Sequence, residues 1–536
     1  MGWDLLLRGG LVVDGTGAPA RRADVAITAG RIAEVGPDLP ARAPTRVLDV
    51  GGLTVAPGFI DLHSHSDFTL PSYPDSPNQV TQGVTSELLG HCGDTPAPLS
   101  DDPERRQLLI DYELGAGPDL AWNWRSFADY LGRLDAARPA VNCLALVGHT
   151  ALRVAAMGMT EREPRPAELA AMQAALREAL AAGAWGMSTG LSYAPGQWAR
   201  TAEIIEVGRP LAEVGALYAS HIRNESDELL PAVEEALGIG EALGVTVEVS
   251  HLKAAGARNV GRTADALAAI EAARARGVRA TCDMYPYEAG STYLSQLLPP
   301  WVFEGGVERM LERIRSEAVR FAIRRDIAEG IPNWGNLLNA AGGWDRILVN
   351  GVNEPGAEWA RGKFVSQLLE STGRDGLDTT CDLLLADRGG TTMAIFMMSL
   401  DDVRGVLASP LSGVGSDLYA VTKPGDANHP RCYGSFARML RWSREGLVPL
   451  EEAVRKMTSL AADTIGLRDR GRIRAGLVAD LAVFDPSTVA DRATWESPAE
   501  LAVGVEHVLL GGRFAIEGGR PVDLRLGRVI RRGAPA

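Results

Sequence analysis

His63 and His65, two residues apart in IDLHSHSD, offer a pair of imidazoles, and neutral imidazole is the commonest metal ligand. On a strand, residues i and i+2 share a face, so both rings can grip one ion. Asp61 has the same parity, and Leu62 faces the other way. Further candidates end later strand-like runs: His221 closes ALYASHI, His251 closes VTVEVSH, and Asp417 closes LSGVGSD. Cys92 follows ELLGH directly. Of eight histidines in the chain, seven (His63, His65, His91, His149, His221, His251 and His429) close or follow an apolar run. Cysteine is commonly buried for packing alone, and a strand-end histidine can be a satisfied core residue. Six such positions in strand order do not fit that reading. A thiolate, imidazoles and a carboxylate at one end of a barrel suit Zn²⁺ better than Mg²⁺ or Ca²⁺.

Such a set has to be gathered by the elements that carry it. Parallel barrel strands bring catalytic groups together at their C-terminal ends. Eight runs qualify as strands: 59–65, 83–90, 142–149, 184–190, 216–222, 245–251, 278–285 and 411–417. Helical patterns lie between several of them. Leu169, Met172, Leu176 and Leu180 make one apolar stripe, and Ser226 is a candidate cap for the helix carrying Leu230, Val233 and Leu237. Both ends of the chain differ in texture. LLLRGGLVVDG near the start, and DLAVFDP and VEHVLLGG near the end, are short apolar runs cut by Gly, Asp and Pro. The expected fold class is α/β, a TIM-like (β/α)8 barrel with a small β-sandwich domain formed by both termini. The expected division is 1–56 and 468–536 for the sandwich and 57–467 for the barrel, with an insertion over the mouth at about 286–350. MAIFMMS competes for a late barrel strand, and the pattern alone does not place it.

Composition narrows the class. A net charge of −14 and pI near 5.2 argue against nucleic acid or anionic membrane as partners. Five scattered cysteines imply no disulfide framework. The N-terminus lacks the pattern of a signal peptide, and no apolar run reaches membrane-spanning length, so a cytoplasmic location is expected.

Longer motifs add a resemblance. APGFIDLHSHSD is similar to the first metal motif of the amidohydrolase superfamily, and GRIRAGLVADLAVFDP to its return into the small β domain. GHCGDTPAPL, LVGHTALR, STGLSYAPGQWA, YASHIRNES, SHLKAAG, DMYPYEAGST, GSD and HPRCYGSFARML resemble the N-acyl-D-amino-acid deacylases within it. That resemblance implies zinc-dependent hydrolysis of an amide in a small molecule bearing a free carboxylate. It implies Cys92, His221 and His251 as the tight zinc ligands, and His63, His65 and Asp417 as a second, weaker position. It also implies Asp417 as general base and acid, Lys253, Tyr285 and Arg431 as holders of the substrate carboxylate, and Tyr193 as a group polarising the scissile carbonyl. Arg223 and Glu225 are expected to support the site. Two departures stand out. His91 occupies a position where the subfamily more often has Asn, and is expected to hydrogen-bond behind the ligands. After Asp417 the chain reads LYAVTKPGDANHPR instead of a Gly-containing turn.

Three rivals have distinct signatures. Cyclic amidases such as hydantoinases usually bridge two metals with a lysine on the fourth strand, and AWGMSTG has none. A dipeptidase acting on a C-terminal D-residue would use the same carboxylate clamp and differ in the acyl pocket. A non-catalytic barrel would be expected to lose ligands, and all six positions are filled. YLSQLLPPWVFEG lacks the basic residue that an acidic substrate side chain requires, so a neutral or hydrophobic D-residue is expected.

Overall fold

The computed structural model describes residues 2–41, 43–113, 120–419 and 429–533. Eight parallel strands form the central sheet: β1 (Phe59–Asp61), β2 (Val84–Leu89), β3 (Asn142–Gly148), β4 (Gly186–Gly190), β5 (Leu217–His221), β6 (Val247–Val249), β7 (Ala280–Met284) and β8 (Ser412–Val414). They pair in that order. Closure comes from the Leu62 N–H, which donates to the Val414 carbonyl at 3.3 Å. Just beyond, Ser64–His65 pairs in parallel with Leu418–Tyr419. Each of the eight strand-like runs of the sequence carries one of these strands, so the (β/α)8 barrel is the fold.

Parallel strands are covered on both faces, which is why β2 and β3 are buried throughout. Ile60, Leu62, Leu88, Leu144, Leu146, Leu217 and Ala219 pack as one cluster at the barrel's base. Met187 and Val249 point outward to the helices. One such helix, Pro166–Ala182, buries Met172, Leu176 and Leu180, and Leu169 packs half-buried beside them. Ser226 does not cap the next expected helix. Leu229–Leu243 starts after Glu228, and Ser226 instead donates to Asn224 Oδ1 at 2.9 Å.

MAIFMMS is not a barrel strand. Thr392–Phe396 is the middle of a three-stranded antiparallel sheet with Ala289–Tyr293 and Ile347–Gly351. The extra layer between β7 and β8 therefore runs well past residue 350, where the sequence reading ended it. An isolated apolar run gave no sign of whether its partners lay in the barrel or above it. Residues 420–428, in the unusual loop after Asp417, lie outside the described residues.

Both termini build one nine-stranded sheet, joined where Leu481–Phe484 pairs antiparallel with Thr54–Pro57. Strict alternation sets its faces: Leu5, Leu7, Val25 and Ile27 share one cluster with Leu481 and Leu509, while Leu6 and Ala26 turn the other way. The sheet curls back on its core, since the Ile32 N–H donates to Leu477 O at 2.9 Å. Asp480 ties this sheet to the barrel. Its buried carboxylate accepts from Asn142 Nδ2 at 3.0 Å, from Arg470 Nε at 2.7 Å and from the Gly511 N–H at 2.6 Å. Among the described residues no helix is long and apolar enough to cross a membrane.

Asp480→Ala would strand the buried Arg470 and the Asn142 amide. A loss of roughly 3–5 kcal/mol in unfolding free energy is expected, read by denaturant titration. A loss below about 1 kcal/mol would show that the tie is dispensable.

Candidate metal centre and its cavities

All six candidate donors meet at the C-terminal mouth of the barrel. Three overlapping trios have their ligand atoms mutually within 4.8 Å: His63, His65 and Cys92; Cys92, His221 and His251; His63, His251 and Asp417. Cys92 Sγ lies 3.5 Å from His63 Nε2 and 3.4 Å from His251 Nε2. Asp417 Oδ1 lies 3.4 Å from the Nε2 atoms of both His63 and His65. All six residues are buried.

These spacings suit a metal ion. With metal bonds of roughly 2.3 Å to sulfur and 2.0–2.2 Å to nitrogen and oxygen, a tetrahedral edge is about 3.5 Å for S···N and about 3.4 Å for N···O. The donor set itself, a thiol with imidazoles and one carboxyl, is that of a borderline-soft ion. Burial, with Asp417 next, pushes the Cys92 thiol well up, and a cation among the donors reverses that balance. The buried Nδ1 of His221 has no hydrogen-bond partner among the described residues.

The chain reaches this arrangement by breaking its strands. Cys92, His251 and Asp417 have φ of +55°, +37° and +47°, the left-handed region that side chains rarely adopt. Each such residue costs roughly 1–3 kcal/mol, and such strain concentrates at functional sites. Simple alternation does not deliver His63 either. β1 stops at Asp61, Leu62 joins the interior cluster, and the chain restarts at Ser64–His65. Asp61 therefore belongs to no donor trio, and its carboxylate accepts from the His63 backbone N–H at 3.1 Å. It accepts from Gln79 Nε2 at 2.7 Å and from the Ser416 N–H at 2.9 Å, bracing the turn before Asp417. Space for the Cys92 turn comes from Gly148 and Gly190. A Cβ on Gly190 would sit 2.0 Å from the Cys92 carbonyl, and one on Gly148 2.1 Å from that of Gly93.

Carboxylates pin the far nitrogens of two imidazoles. His63 Nδ1 is 3.1 Å from Asp283 Oδ2, and His251 Nδ1 is 3.1 Å from Glu225 Oε1, so each Nε2 is aimed at the centre. Asp283, in DMYPY on β7, was missed at the sequence level. Its signal was a charged residue inside an otherwise apolar strand. Ser192 Oγ, 2.6 Å from His221 Nε2, was missed as well. Burial raises Glu225, but Lys253 and then the histidines pull it well below the usual carboxylate range. Arg223 is bound to Glu235 at 2.9 Å and to the Gln197 carbonyl, away from the centre. His91 stacks on His63 with 4.1 Å between ring centres and belongs to no donor trio. His149 faces Glu203 at 3.3 Å, and His429 faces the Ala289 carbonyl at 3.0 Å. Neither reaches the centre: His149 opens the helix His149–Met157, and His429 stands just before the helix Arg431–Arg444.

The remaining candidates ring the donors. Lys253 Nζ lies 2.5 Å from Glu225 Oε1 and 2.8 Å from His251 Nδ1. Arg431 donates to Asp417 Oδ2 at 2.7 Å and stacks its guanidinium 4.7 Å over the Tyr285 ring, while its buried Nε has no partner among the described residues. Burial works to raise Asp417, but Arg431 and His63 outweigh it and hold the carboxyl well below its usual range. Burial keeps the Tyr193 and Tyr285 phenols protonated, as hydrogen-bond donors. Two cavities open from the donors. One reaches Lys253 and Tyr285 and runs out to Trp334, Leu337, Ile395 and Met397. The other runs past Cys92 to Asp94, Tyr112, Tyr293 and Thr392. Tyr193, His221, His251, Thr292 and Asp417 border both.

Comparison with known proteins agrees with this geometry. The model of the amidohydrolase family matches residues 46–320 and 352–516. The N-acyl-D-glutamate deacylase of Alcaligenes xylosoxydans xylosoxydans is 39% identical over 99% of this chain and 97% of its own. A D-aminoacylase described by its binuclear metal centre superposes with a TM-score of 0.81 at 37% identity, covering 99% of this chain and 100% of the other. An N-acyl-D-glutamate deacylase from Bordetella bronchiseptica, complexed with zinc and a phosphonate mimic of the tetrahedral intermediate, gives 0.83 at 36%, with the same coverage.

Asp283→Ala frees the His63 ring without touching a donor. Metal affinity, measured by competition with a chromogenic chelator, is expected to fall about 10–100-fold. Cys92→Ala, which removes a donor from two trios, should leave the purified protein depleted in metal. Unchanged metal content in both variants would assign this cluster a packing role.

Proposed function

We propose that this chain, which belongs to the amidohydrolase family, hydrolyses the amide bond of N-acyl-D-amino acids with zinc as its ion. The products are a carboxylate and the free D-amino acid. The observation that carries this reading is a cluster of six candidate metal donors from which two cavities open, with Lys253 and Tyr285 lining one of them and Arg431 stacked on the Tyr285 ring. An amide whose leaving half bears a carboxylate fits that polarity. Chirality comes from the named relatives, which act on D-residues.

In this reading Cys92, His221 and His251 hold the tight ion, and His63, His65 and Asp417 hold a second, weaker one. A bound ion supplies Lewis acidity, polarising the scissile carbonyl and acidifying water. The chain supplies the rest. Asp417, kept ionised by Arg431 and His63, takes a proton from the attacking water and passes it to the leaving nitrogen. Tyr193, edge-on to His221 at 4.7 Å between ring centres, donates its phenol proton toward the carbonyl oxygen. Lys253 and the unpartnered Arg431 Nε bind the substrate carboxylate, the planar guanidinium fixing its orientation and Tyr285 adding a third donor.

The cavity walls suggest the substrate's scope. The lining around Trp334, Leu337, Ala340, Ile395 and Met397 is apolar, and Lys253 is the one Lys or Arg among the described residues there. That favours a neutral or hydrophobic D-side chain. The second cavity is walled by Asp94, Tyr112, Tyr293 and Thr392.

Zinc-loaded protein is expected to hydrolyse N-acetyl-D-leucine and leave N-acetyl-L-leucine intact in initial-rate assays. N-acetyl-D-glutamate should be slower than N-acetyl-D-leucine. Inactivity toward every D-substrate, with zinc bound, would overturn the reading. Asp417→Asn should retain zinc at the Cys92, His221 and His251 position and lose roughly 10²–10⁴-fold in kcat. A near-normal rate would remove Asp417 from proton transfer.

A further inference from the structure

The base of the barrel, at the opposite end from the metal donors, carries a cleft of about 560 Å³. β5 runs from one to the other: Gly215, just before it, lines the cleft, and His221, at its end, is a donor. At roughly 3.3 Å of rise per residue, about 20 Å separates them. Five arginines (Arg468, Arg470, Arg528, Arg531 and Arg532) and one carboxylate, Asp469, wall the cleft. That is the reverse of the chain's net charge of −14. The backbone that carries three of these arginines is fixed across the base. The Cys143 N–H donates to Arg528 O at 2.9 Å, the Ile530 N–H to Cys143 O at 2.8 Å, and the Arg532 N–H to Gly183 O at 2.9 Å. Trp185 Nε1 donates to the Ile530 carbonyl at 2.6 Å. Arg468 and Arg470 come from the segment that leaves the helix Ser459–Ile465 for the terminal sheet.

These charges are unevenly answered. Of the five, only Arg470 forms an ion pair with a described residue, to Asp469 at 2.5 Å and Asp480 at 2.7 Å. Arg531 Nη1 donates to the Ala182 carbonyl at 3.2 Å, and Arg532 Nη2 donates to that of Val214. Neutral carbonyls leave both charges unmatched. Burial pulls the Arg532 guanidinium below the usual arginine range, and no carboxylate opposes it. Arg468 and Arg528 are exposed and have neither an ion pair nor a side-chain hydrogen bond among the described residues. A cleft lined by one sign of charge on low-dielectric walls concentrates the opposite ion. One carboxylate would answer one of the four unmatched cations, whereas a short chain of phosphates answers several. The planar guanidinium fork matches phosphate oxygens two at a time. The volume falls in the range of roughly 300–1,000 Å³ usual for small-molecule sites. We propose that this cleft is a binding site for a small oligophosphate, a molecule bearing two or three linked phosphates, held by Arg468, Arg528, Arg531 and Arg532. Ile465, Leu467 and Ile530 supply an apolar wall for an organic group attached to that chain.

Inorganic triphosphate is the probe, with citrate beside it as a carboxylate of comparable charge. Calorimetric titration of the full chain at low ionic strength should show triphosphate binding, with citrate weaker. In Arg468→Gln/Arg528→Gln the affinity for triphosphate should fall at least about tenfold, the loss expected of charge-assisted hydrogen bonds. Arg468→Gln alone should lose less. Neither side chain has a described partner to give up, so the melting temperature of both variants without ligand should match that of the wild type. Any contact between triphosphate and the metal donors is common to all three proteins, so the difference between them reports the cleft. The absence of triphosphate binding by the wild type would overturn the proposal. So would an affinity that the double variant leaves unchanged, and citrate binding as tightly as triphosphate would reject phosphate as the class.

Discussion

Burying four imidazoles, a thiol and a carboxyl within ligand distance of one another is unfavourable unless their charges are answered. Much of the architecture serves to answer them. Asp283 and Glu225 face the outer nitrogens of His63 and His251, Arg431 faces Asp417, and Lys253 faces Glu225. These partners lie on β7, on the loop after β5, on the helix after the final loop, and just after β6. Only a closed barrel brings those four places to one mouth. The ion completes the balance, since a cation favours the thiolate that burial otherwise suppresses.

That constraint explains the strain. Three donors hold left-handed backbone, and two glycines on neighbouring strands leave room for the Cys92 turn. A regular strand would carry each donor past the mouth or out toward the helices. Breaking the ladder two or three residues before the donor turns the side chain inward, at a cost that a well-packed base can bear. Asp480 and the cluster around Leu144 and Leu217 belong to that base.

Much of this was legible in the sequence because parallel strands read as apolar runs and donors stand at their ends. All eight barrel strands follow from that pattern, and so do the six candidate donors that the structure brings together, with the family resemblance implying their roles. What was not legible has definite physical causes. Parity from the HxH motif assigned Asp61 to the donors' face, yet the strand ends there and Leu62 is the residue that points inward. Asp283 was overlooked because second-layer carboxylates have no spacing rule, being set by which strands become neighbours. MAIFMMS could not be assigned from its composition, since an apolar run in an antiparallel cap and one in a barrel have the same residues. His149 and His429 show the converse, as position near a strand end does not make a ligand when the ring turns into a helix or loop.

Chemistry and selectivity come from different stretches of chain. The barrel strands and the segments just after them provide every candidate donor, while the layer between β7 and β8 provides Trp334, Leu337, Ile395 and Met397 around one of the two cavities. Substitutions in that layer reshape the cavity wall without disturbing a single candidate ligand. The other cavity is arranged otherwise. Asp94 is separated from Cys92 by one glycine, and that glycine, at φ +80°, has no room for a side chain. A change in the Cys92 turn therefore moves Asp94, and a change at Asp94 acts on the turn. The cavity that Asp94 lines is thus coupled to the geometry of the donor cluster, whereas the wall of the other cavity comes largely from a separate layer.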